Sequence, residues 1–179
     1  QGKKAFGGTA SNGTFSPRDT YDAMELGVNL FIQRSAALFS PNVTVVQAEA
    51  NVTALRALME LLPTQTKRTV EQVEFQQFST PPTLAYLVAW LGRPQAGEVA
   101  LEPSAGNGAL AVFAQNAGAI VHVNEIAGRR AQNLEQLGFK VTRENAEQID
   151  NILPPGIKPT VILMNPPFSS AGGRVEGQR

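Results

Sequence analysis

The stretch EVALEPSAGNGALAVFAQNAGAIVHVNE, residues 98–125, contains a strand, a helix and a second strand in succession. Val99–Leu101 predicts a short buried strand, Ala109–Ala117 predicts a helix, and Ile120–Val123 predicts the next strand. Gly118 ends the helix between them. Strands that alternate with helices indicate parallel pairing through right-handed crossovers, so this stretch predicts an open α/β sheet.

The same alternation continues towards the C-terminus. A second helix is predicted over Ala127–Leu137, a third strand over Phe139–Val141, a helical turn over Gln148–Leu153 and a fourth strand over Val161–Met164. In this topology the fourth strand lies beside the first, which gives the strand order 3-2-1-4 with the fourth strand at the edge. The predicted fold class is therefore α/β.

Residues 1–16 are rich in Gly, Ser, Thr and Asn and are expected to form a flexible arm. Residues 17–78 are expected to form an N-terminal helical appendage, and residues 79–179 the sheet domain. Within the sheet domain, Ser79–Pro82 opens a further helix that Gly92 closes. Two apolar stripes at helical spacing predict the helices of the appendage: Tyr21, Met24, Val28, Phe31, Ile32 and Leu38, then Val52, Leu55, Leu58, Met59 and Leu62.

The composition excludes several classes of site. The chain has 179 residues with 15 basic and 15 acidic side chains, no cysteine and one histidine. Disulfides, cysteine zinc sites and cysteine nucleophiles are therefore excluded, and no metal site is expected. His122 lies in an apolar strand pattern, which favours a packed core histidine. No apolar run could span a membrane and no signal peptide is visible, so a cytoplasmic location is expected. A start at Gln1 suggests a piece of a longer protein.

A glycine turn, Glu102–Gly108, follows the first strand. Open α/β sheets bind ligands at the carboxyl ends of their strands, and Gly106 and Gly108 would let the backbone approach such a ligand. The alternative is an ordinary tight turn, because the third glycine of a dinucleotide-binding turn is missing and Leu110–Ala111 occupies its region. The turn alone does not decide between the two.

An acidic residue, Glu125, ends the second strand just under ~20 residues after the glycine turn. A carboxylate in this position can accept hydrogen bonds from both hydroxyls of a ribose. The alternative is a solvated acid that caps the helix beginning at Ala127. The glycine turn and the acid together indicate a cofactor that contains a nucleoside.

Asn165-Pro166-Pro167-Phe168 follows the fourth strand. The Asn165 side chain offers a carbonyl acceptor, and the Pro166 carbonyl offers a second one. Two such acceptors can hold the hydrogens of an exocyclic amino group and direct its lone pair towards an electrophile. Phe168 supplies a face on which a planar ring can stack, and Pro167 fixes the path between them. The alternative is a turn that merely ends the strand.

This stretch resembles the signature of S-adenosylmethionine-dependent amino-methyltransferases, and the resemblance covers roughly the last hundred residues, in the family's order. It implies a Rossmann-like methyltransferase sheet, S-adenosylmethionine as cofactor, and Asn165, Pro166, Pro167 and Phe168 as catalytic residues. Asn145 stands where the family usually has an acidic residue, which is a departure. The implied cofactor-binding residues are Thr80 and Pro81 at a helix start that meets the methionine carboxylate, Glu102, Ser104, Gly106, Asn107 and Gly108 in the glycine loop, Glu125 and Ile126 at the ribose, and Asn145 and Ala146 at the adenine.

The segment order is similar to that of gamma-type adenine-N6 DNA methyltransferases. More loosely, Leu62–Thr66 and Gln77–Pro81 resemble methylase domains of strawberry-notch-type helicase-like phage or plasmid proteins. The resemblance implies a nucleic-acid partner, DNA before RNA. Further domains of the same protein are also expected as partners, and no membrane is. Guanine N2 in RNA, a protein glutamine amide and a non-catalytic cofactor- or DNA-binding module are the alternatives. Because the family's sheet continues beyond the fourth strand, a C-terminal truncation is expected, and the fragment alone is expected to be inactive.

Overall fold

The computed structural model describes residue 4, residues 7–61 and residues 79–166. Its centre is a four-stranded sheet of order β3-β2-β1-β4 in which every pair is parallel. This confirms the predicted α/β, Rossmann-like fold and its strand order. The strands are β1 Val99–Glu102, β2 Ile120–Asn124, β3 Val141–Thr142 and β4 Val161–Ile162.

Six α-helices and two 3₁₀ turns accompany the sheet in the described part of the chain. The first two helices begin at capping boxes, in which the Ser16 and Thr44 hydroxyls accept from backbone N–H groups one turn ahead. The helices are α1 Pro17–Arg34, α2 Val45–Glu60, α3 Pro82–Gly92, α4 Ala109–Asn116, α5 Gly128–Gln136 and α6 Ile149–Ile152, and the 3₁₀ turns are Ala10–Asn12 and Ala146–Gln148.

One hydrophobic core joins the N-terminal helices to the sheet. Ile32 of α1, Leu55 of α2 and Phe113 of α4 are fully buried in the same cluster. Tyr86 of α3 meets the edge of the Phe113 ring at 5.4 Å between centroids, and its hydroxyl accepts from Asn51 of α2. The predicted boundary at residue 78 falls outside the described residues, but α1 and α2 clearly share their packing with the sheet.

Several predicted boundaries differ from the structure. Helix α1 ends at Arg34, so Leu38 of the predicted stripe lies beyond it and is exposed. The third strand begins at Val141 because the Phe139 backbone N–H donates to the Leu134 carbonyl and thereby closes α5. His122 is half-buried in β2 rather than packed in the core.

Strand β4 forms one edge of the described sheet and pairs with β1 on its other side. It ends at Ile162, two residues earlier than predicted, although the Leu163 N–H still donates to the Leu101 carbonyl. Ile162 and Met164 are more than half exposed. Within the described residues, no helix has the length and apolar character needed to cross a bilayer.

Candidate functional site at the carboxyl edge of the sheet

The parallel pairing brings the ends of β1, β2 and β4 to one edge of the sheet. Glu102 pairs with Val123 at the end of β1, and Leu101 pairs with Ile162 on the other side. The glycine turn, Glu125 and Asn165 follow directly after these pairs. Asn165 lies 85 positions after Thr80 in the sequence and donates a hydrogen bond to it, so the end of β4 and the residue before α3 meet at this edge of the sheet.

The two glycines of the turn are needed for different structural reasons. Gly106 has φ +57° and Gly108 has φ +89°, both in the left-handed region. A Cβ at Gly108 would lie 2.8 Å from Cδ2 of Leu134, so this glycine also permits α4 to pack against α5. A Cβ at Gly106 would meet only the Arg130 side chain, at 3.8 Å. Gly106 is therefore the glycine whose open side faces away from the core packing.

Glu125 is buried and its carboxylate is held by two backbone donors. The Gly106 N–H donates to Oε2 at 2.8 Å, and the Ala127 N–H donates to Oε1 at 2.8 Å. Ala127 is the N-cap residue of α5, and this helix has no side-chain cap hydrogen bond, so Glu125 is a buried acid bound to backbone donors and not a solvated helix cap. The hydrogen bond to Gly106 also ties the end of β2 to the glycine turn. The ribose contact stays a prediction.

Glu102 is a buried carboxyl with one oxygen unused. It is 3% exposed, and its Oε2 has no hydrogen-bond partner within the described residues. Burial raises the pKa of Glu102 well above its ordinary value, the Ala111 backbone hydrogen bond lowers it, and the Glu125 charge raises it further. An unpaired buried carboxyl costs stability, so a hydrogen-bonding cation beside it would be favoured.

Asn124 is a site residue that the sequence analysis missed. Its Nδ2 donates to the Pro103 carbonyl at 3.0 Å and to the Glu144 carbonyl at 2.9 Å. Its Oδ1 accepts from the Thr142 hydroxyl and from the Glu144 N–H. This fully buried amide therefore fastens the loops after β1 and β3 to the end of β2. The available signal in the sequence was a polar residue at the end of an otherwise apolar strand.

Asn107 is the centre of a second unforeseen network. Its Nδ2 donates to Asp22 and Glu25 of α1, and its Oδ1 accepts from Asn133 of α5. The Asn107 carbonyl accepts from Asn29 at 2.6 Å. The Asn107 side chain and backbone carbonyl thus join α1 to the glycine turn in this structure, and the predicted cofactor contact of Asn107 stays a prediction.

Glu25 closes this network towards α3. The Ser79 hydroxyl donates to its Oε2 at 2.6 Å. Burial raises the pKa of Glu25, while the hydrogen bonds from Ser79 and Asn107 and the charge of Arg130 lower it. The signal in the sequence was a polar stripe on α1 at helical spacing, Asp22, Glu25, Asn29 and Gln33, beside the apolar one.

Asn165 meets the start of α3. Its Nδ2 donates to the Thr80 hydroxyl at 3.0 Å, which brings the element after β4 and the Thr-Pro element together. Helix α3 is capped by Pro81 with Pro82 in its first turn, so Thr80 lies one residue before the cap and supplies no cap hydrogen bond. Pro166 is exposed, whereas Pro167 and Phe168 lie outside the described residues.

The remaining predicted residues lie along the same edge of the sheet. Ser104 is half-buried in the turn, and Ile126 is 64% exposed at the end of β2. Asn145 Oδ1 accepts from the Glu147 N–H and so caps the 3₁₀ turn that contains Ala146. Asn145, which stands where the family resemblance implies an acid, therefore caps the neighbouring 3₁₀ turn in this structure.

Comparison with known proteins identifies no family. No protein-family model matches the chain, and no curated protein matches it. Among solved structures, a protein-L-isoaspartate O-methyltransferase is similar, with 17% identity, a TM-score of 0.32, and coverage of 53% of this chain and 40% of that one. The chain therefore spans less than half the length of this structure, and a likeness of this size is too small to define a reaction.

Proposed function

We propose that this chain binds S-adenosylmethionine and forms part of an enzyme that methylates an exocyclic amino group, adenine N6 in DNA. The observation that carries the proposal is the meeting of Asn165 with Thr80 at the edge where the glycine turn and Glu125 also end. The element proposed to hold the amine and the elements predicted to bind the cofactor then lie at the same edge of the sheet.

The described residues fit the chemistry of this cofactor. The unused Oε2 of Glu102 suits a cationic amino group, and the exposed Ile126 suits the face of an adenine ring. Glu125 has an acceptor lone pair on each oxygen beyond the two backbone bonds it accepts, which suits ribose hydroxyls. When bound, S-adenosylmethionine supplies a methyl group on a positively charged sulfur.

The role of Asn165 follows from its hydrogen bond. Since its Nδ2 donates to Thr80, its Oδ1 is the end that can accept a hydrogen of the target amine. The exposed Pro166 carbonyl is the proposed acceptor for the second hydrogen. Holding both hydrogens would turn the amine lone pair out of conjugation with the ring, which makes the nitrogen nucleophilic. Phe168 is the proposed stacking face for a flipped base.

The substrate class is proposed from the order of the elements. A Thr-Pro element ahead of the glycine loop and Asn-Pro-Pro-Phe is similar to gamma-type adenine-N6 DNA methyltransferases, which favours DNA over RNA. Phosphate contacts that position a nucleic acid come from basic side chains, and we propose that further parts of the protein supply them. A cytoplasmic location belongs to the same proposal.

The test is methyl transfer from labelled S-adenosylmethionine by the full-length protein to DNA, RNA and protein. Digestion to nucleosides should release N6-methyladenine from the DNA. Asn165→Ala should abolish transfer while leaving cofactor affinity nearly unchanged, because the amide is proposed to bind the target amine. Asn151→Ala is the matched control, since Asn151 is an exposed asparagine on α6 that bonds only its neighbour Asp150 in the described structure.

Each result separates the alternatives. N2-methylguanine in RNA or a methylated glutamine amide would support the proposed site and overturn the proposed substrate, adenine in DNA. Saturable cofactor binding without transfer to any substrate would favour a non-catalytic module. Full activity of the Asn165→Ala protein would overturn the proposed role of the amide.

A further inference from the structure

Thr80 and Asn165 form a contact that reaches across the molecule. The Asn165 Nδ2 donates to the Thr80 Oγ1 at 3.0 Å, although the two residues are 85 positions apart. Thr80 is half-buried and Asn165 is exposed. Because Thr80 forms no cap hydrogen bond with α3, the cap geometry of that helix does not account for its hydroxyl.

We propose that Thr80 is a positioning residue that orients the Asn165 amide for the target amine, an inference that rests on the proposed function. An asparagine amide has a donor end and an acceptor end of nearly the same shape. Only the acceptor end can take a hydrogen from an amine. By accepting from Nδ2, the Thr80 hydroxyl turns Oδ1 away from itself, which leaves Oδ1 for the target amine.

The position of Asn165 explains why a separate tether is needed. Within residues 79–166, the last backbone bond that holds this segment to the sheet runs from the Leu163 N–H to the Leu101 carbonyl at 3.0 Å. Asn165 lies two residues beyond that bond, next to the exposed Met164 and Pro166. A side chain in such a place samples several rotamers unless another group fixes it, and a displaced catalytic group loses rate.

The same hydrogen bond also strengthens the acceptor. Donation from an amide N–H polarises the amide and increases the negative charge on its oxygen. Oδ1 would then hold the amine hydrogen more tightly than it could in a freely rotating side chain. Thr80 thus affects the reaction through Asn165 and does not touch the reacting atoms.

This role differs measurably from direct cofactor binding, the role that the family resemblance implies for Thr80. A hydroxyl that bound the methionine carboxylate would change the cofactor Kd. A hydroxyl that orients Asn165 would change kcat and leave the Kd almost unaltered.

The experiment compares Thr80→Val with Thr80→Ser in the full-length protein. Valine keeps the shape and removes the acceptor, whereas serine keeps the hydroxyl. Thr80→Val should lower kcat roughly tenfold, the factor contributed by one hydrogen bond, with the S-adenosylmethionine Kd within about twofold of the parent. Thr80→Ser should restore most of the rate.

Thr83→Val is the matched control. Thr83 lies on the first turn of α3, is half-buried, and contacts the sulfur of Met59 instead of the site. It undergoes the same chemical change and should keep the parent rate. The Asn165 side-chain amide signals in NMR spectra give an independent readout, because they should shift with Thr80→Val and stay in place with Thr80→Ser.

The outcomes are distinguishable from failure of the proposed function. A parent protein that transfers no methyl group to any amine overturns both proposals. A parent that transfers methyl groups, with Thr80→Val at the same kcat or with only its Kd raised, overturns the positioning role alone. Unmoved Asn165 amide signals in the valine protein overturn it as well. If valine prevents folding, Thr80→Ala replaces it in every comparison.

Discussion

Replacing Glu102 by Gln should stabilise the ligand-free protein, and increasingly so as the pH rises. Glu102 is buried at the end of β1 with Oε2 unpartnered in the described structure, and burial is the main cause of its raised pKa. Glutamine has the same shape as the protonated acid and does not ionise. The substitution therefore removes the cost of the carboxyl without opening a cavity.

The sign and size follow from proton linkage. A carboxyl whose pKa is raised in the folded state takes up a proton on folding when the pH exceeds its ordinary value of 4.5. Folding then becomes less favourable by about 1.4 kcal/mol for each pH unit, up to the raised pKa, and by a constant amount above it. Below pH 4.5 both states are protonated, so parent and variant should have similar stability.

Urea unfolding of parent and Glu102→Gln between pH 4 and pH 8 measures this difference. The midpoint of the variant should rise above that of the parent as the pH increases, with the same m-value. Glu60→Gln, an exposed acid at the end of α2, is the control and should run parallel to the parent. Parallel curves for Glu102→Gln would show that the carboxyl finds a partner in solution and would refute the reasoning.

Two further substitutions test the packing of the glycine turn, and a third, at Gly128 in α5, is their control. Gly108→Ala should destabilise the fold by about 2–4 kcal/mol, because φ is positive and a Cβ would lie 2.8 Å from Leu134. Gly128→Ala should raise the thermal midpoint slightly, because no atom lies near the added Cβ. Asn107→Ala should cost about 2–3 kcal/mol in chemical denaturation, since it removes the donor between Asp22 and Glu25. Values near zero for either would contradict the described packing.

The sheet could be predicted from the sequence because its signals are local. Each strand is a short apolar run followed by a polar residue, and the crossover rule fixes the handedness of the parallel connections. The position of β4 beside β1 follows from the topology that the family resemblance implies. The predicted boundaries differ from the structure where a backbone hydrogen bond continues a helix, as at Phe139, or where apolar residues extend beyond the pairing, as at Met164.

The candidate site was predicted in its outline but not in its connections. Glycines, an acid at a strand end and Asn-Pro-Pro are recognisable because each residue type has a distinct chemistry. The hydrogen bonds of Asn107 and Asn124 are not readable in this way, because an asparagine can face a ligand or a neighbouring helix with the same sequence. The partner of each asparagine depends on elements that are distant in the sequence and become neighbours only in the tertiary structure.

The polar stripe of α1 has a consequence for any shortened form of the protein. A version beginning at residue 79 would keep every predicted cofactor-binding residue, yet it would lose Asp22 and Glu25 from beneath Asn107, and Asn29 from the Asn107 carbonyl. It would also lose Gln33, which donates to the Leu137 carbonyl at the end of α5. The glycine turn would then depend on water for bonds that α1 provides. The smallest unit able to hold the turn in shape therefore begins at the first helix, far ahead of Thr80, the first residue predicted to bind cofactor.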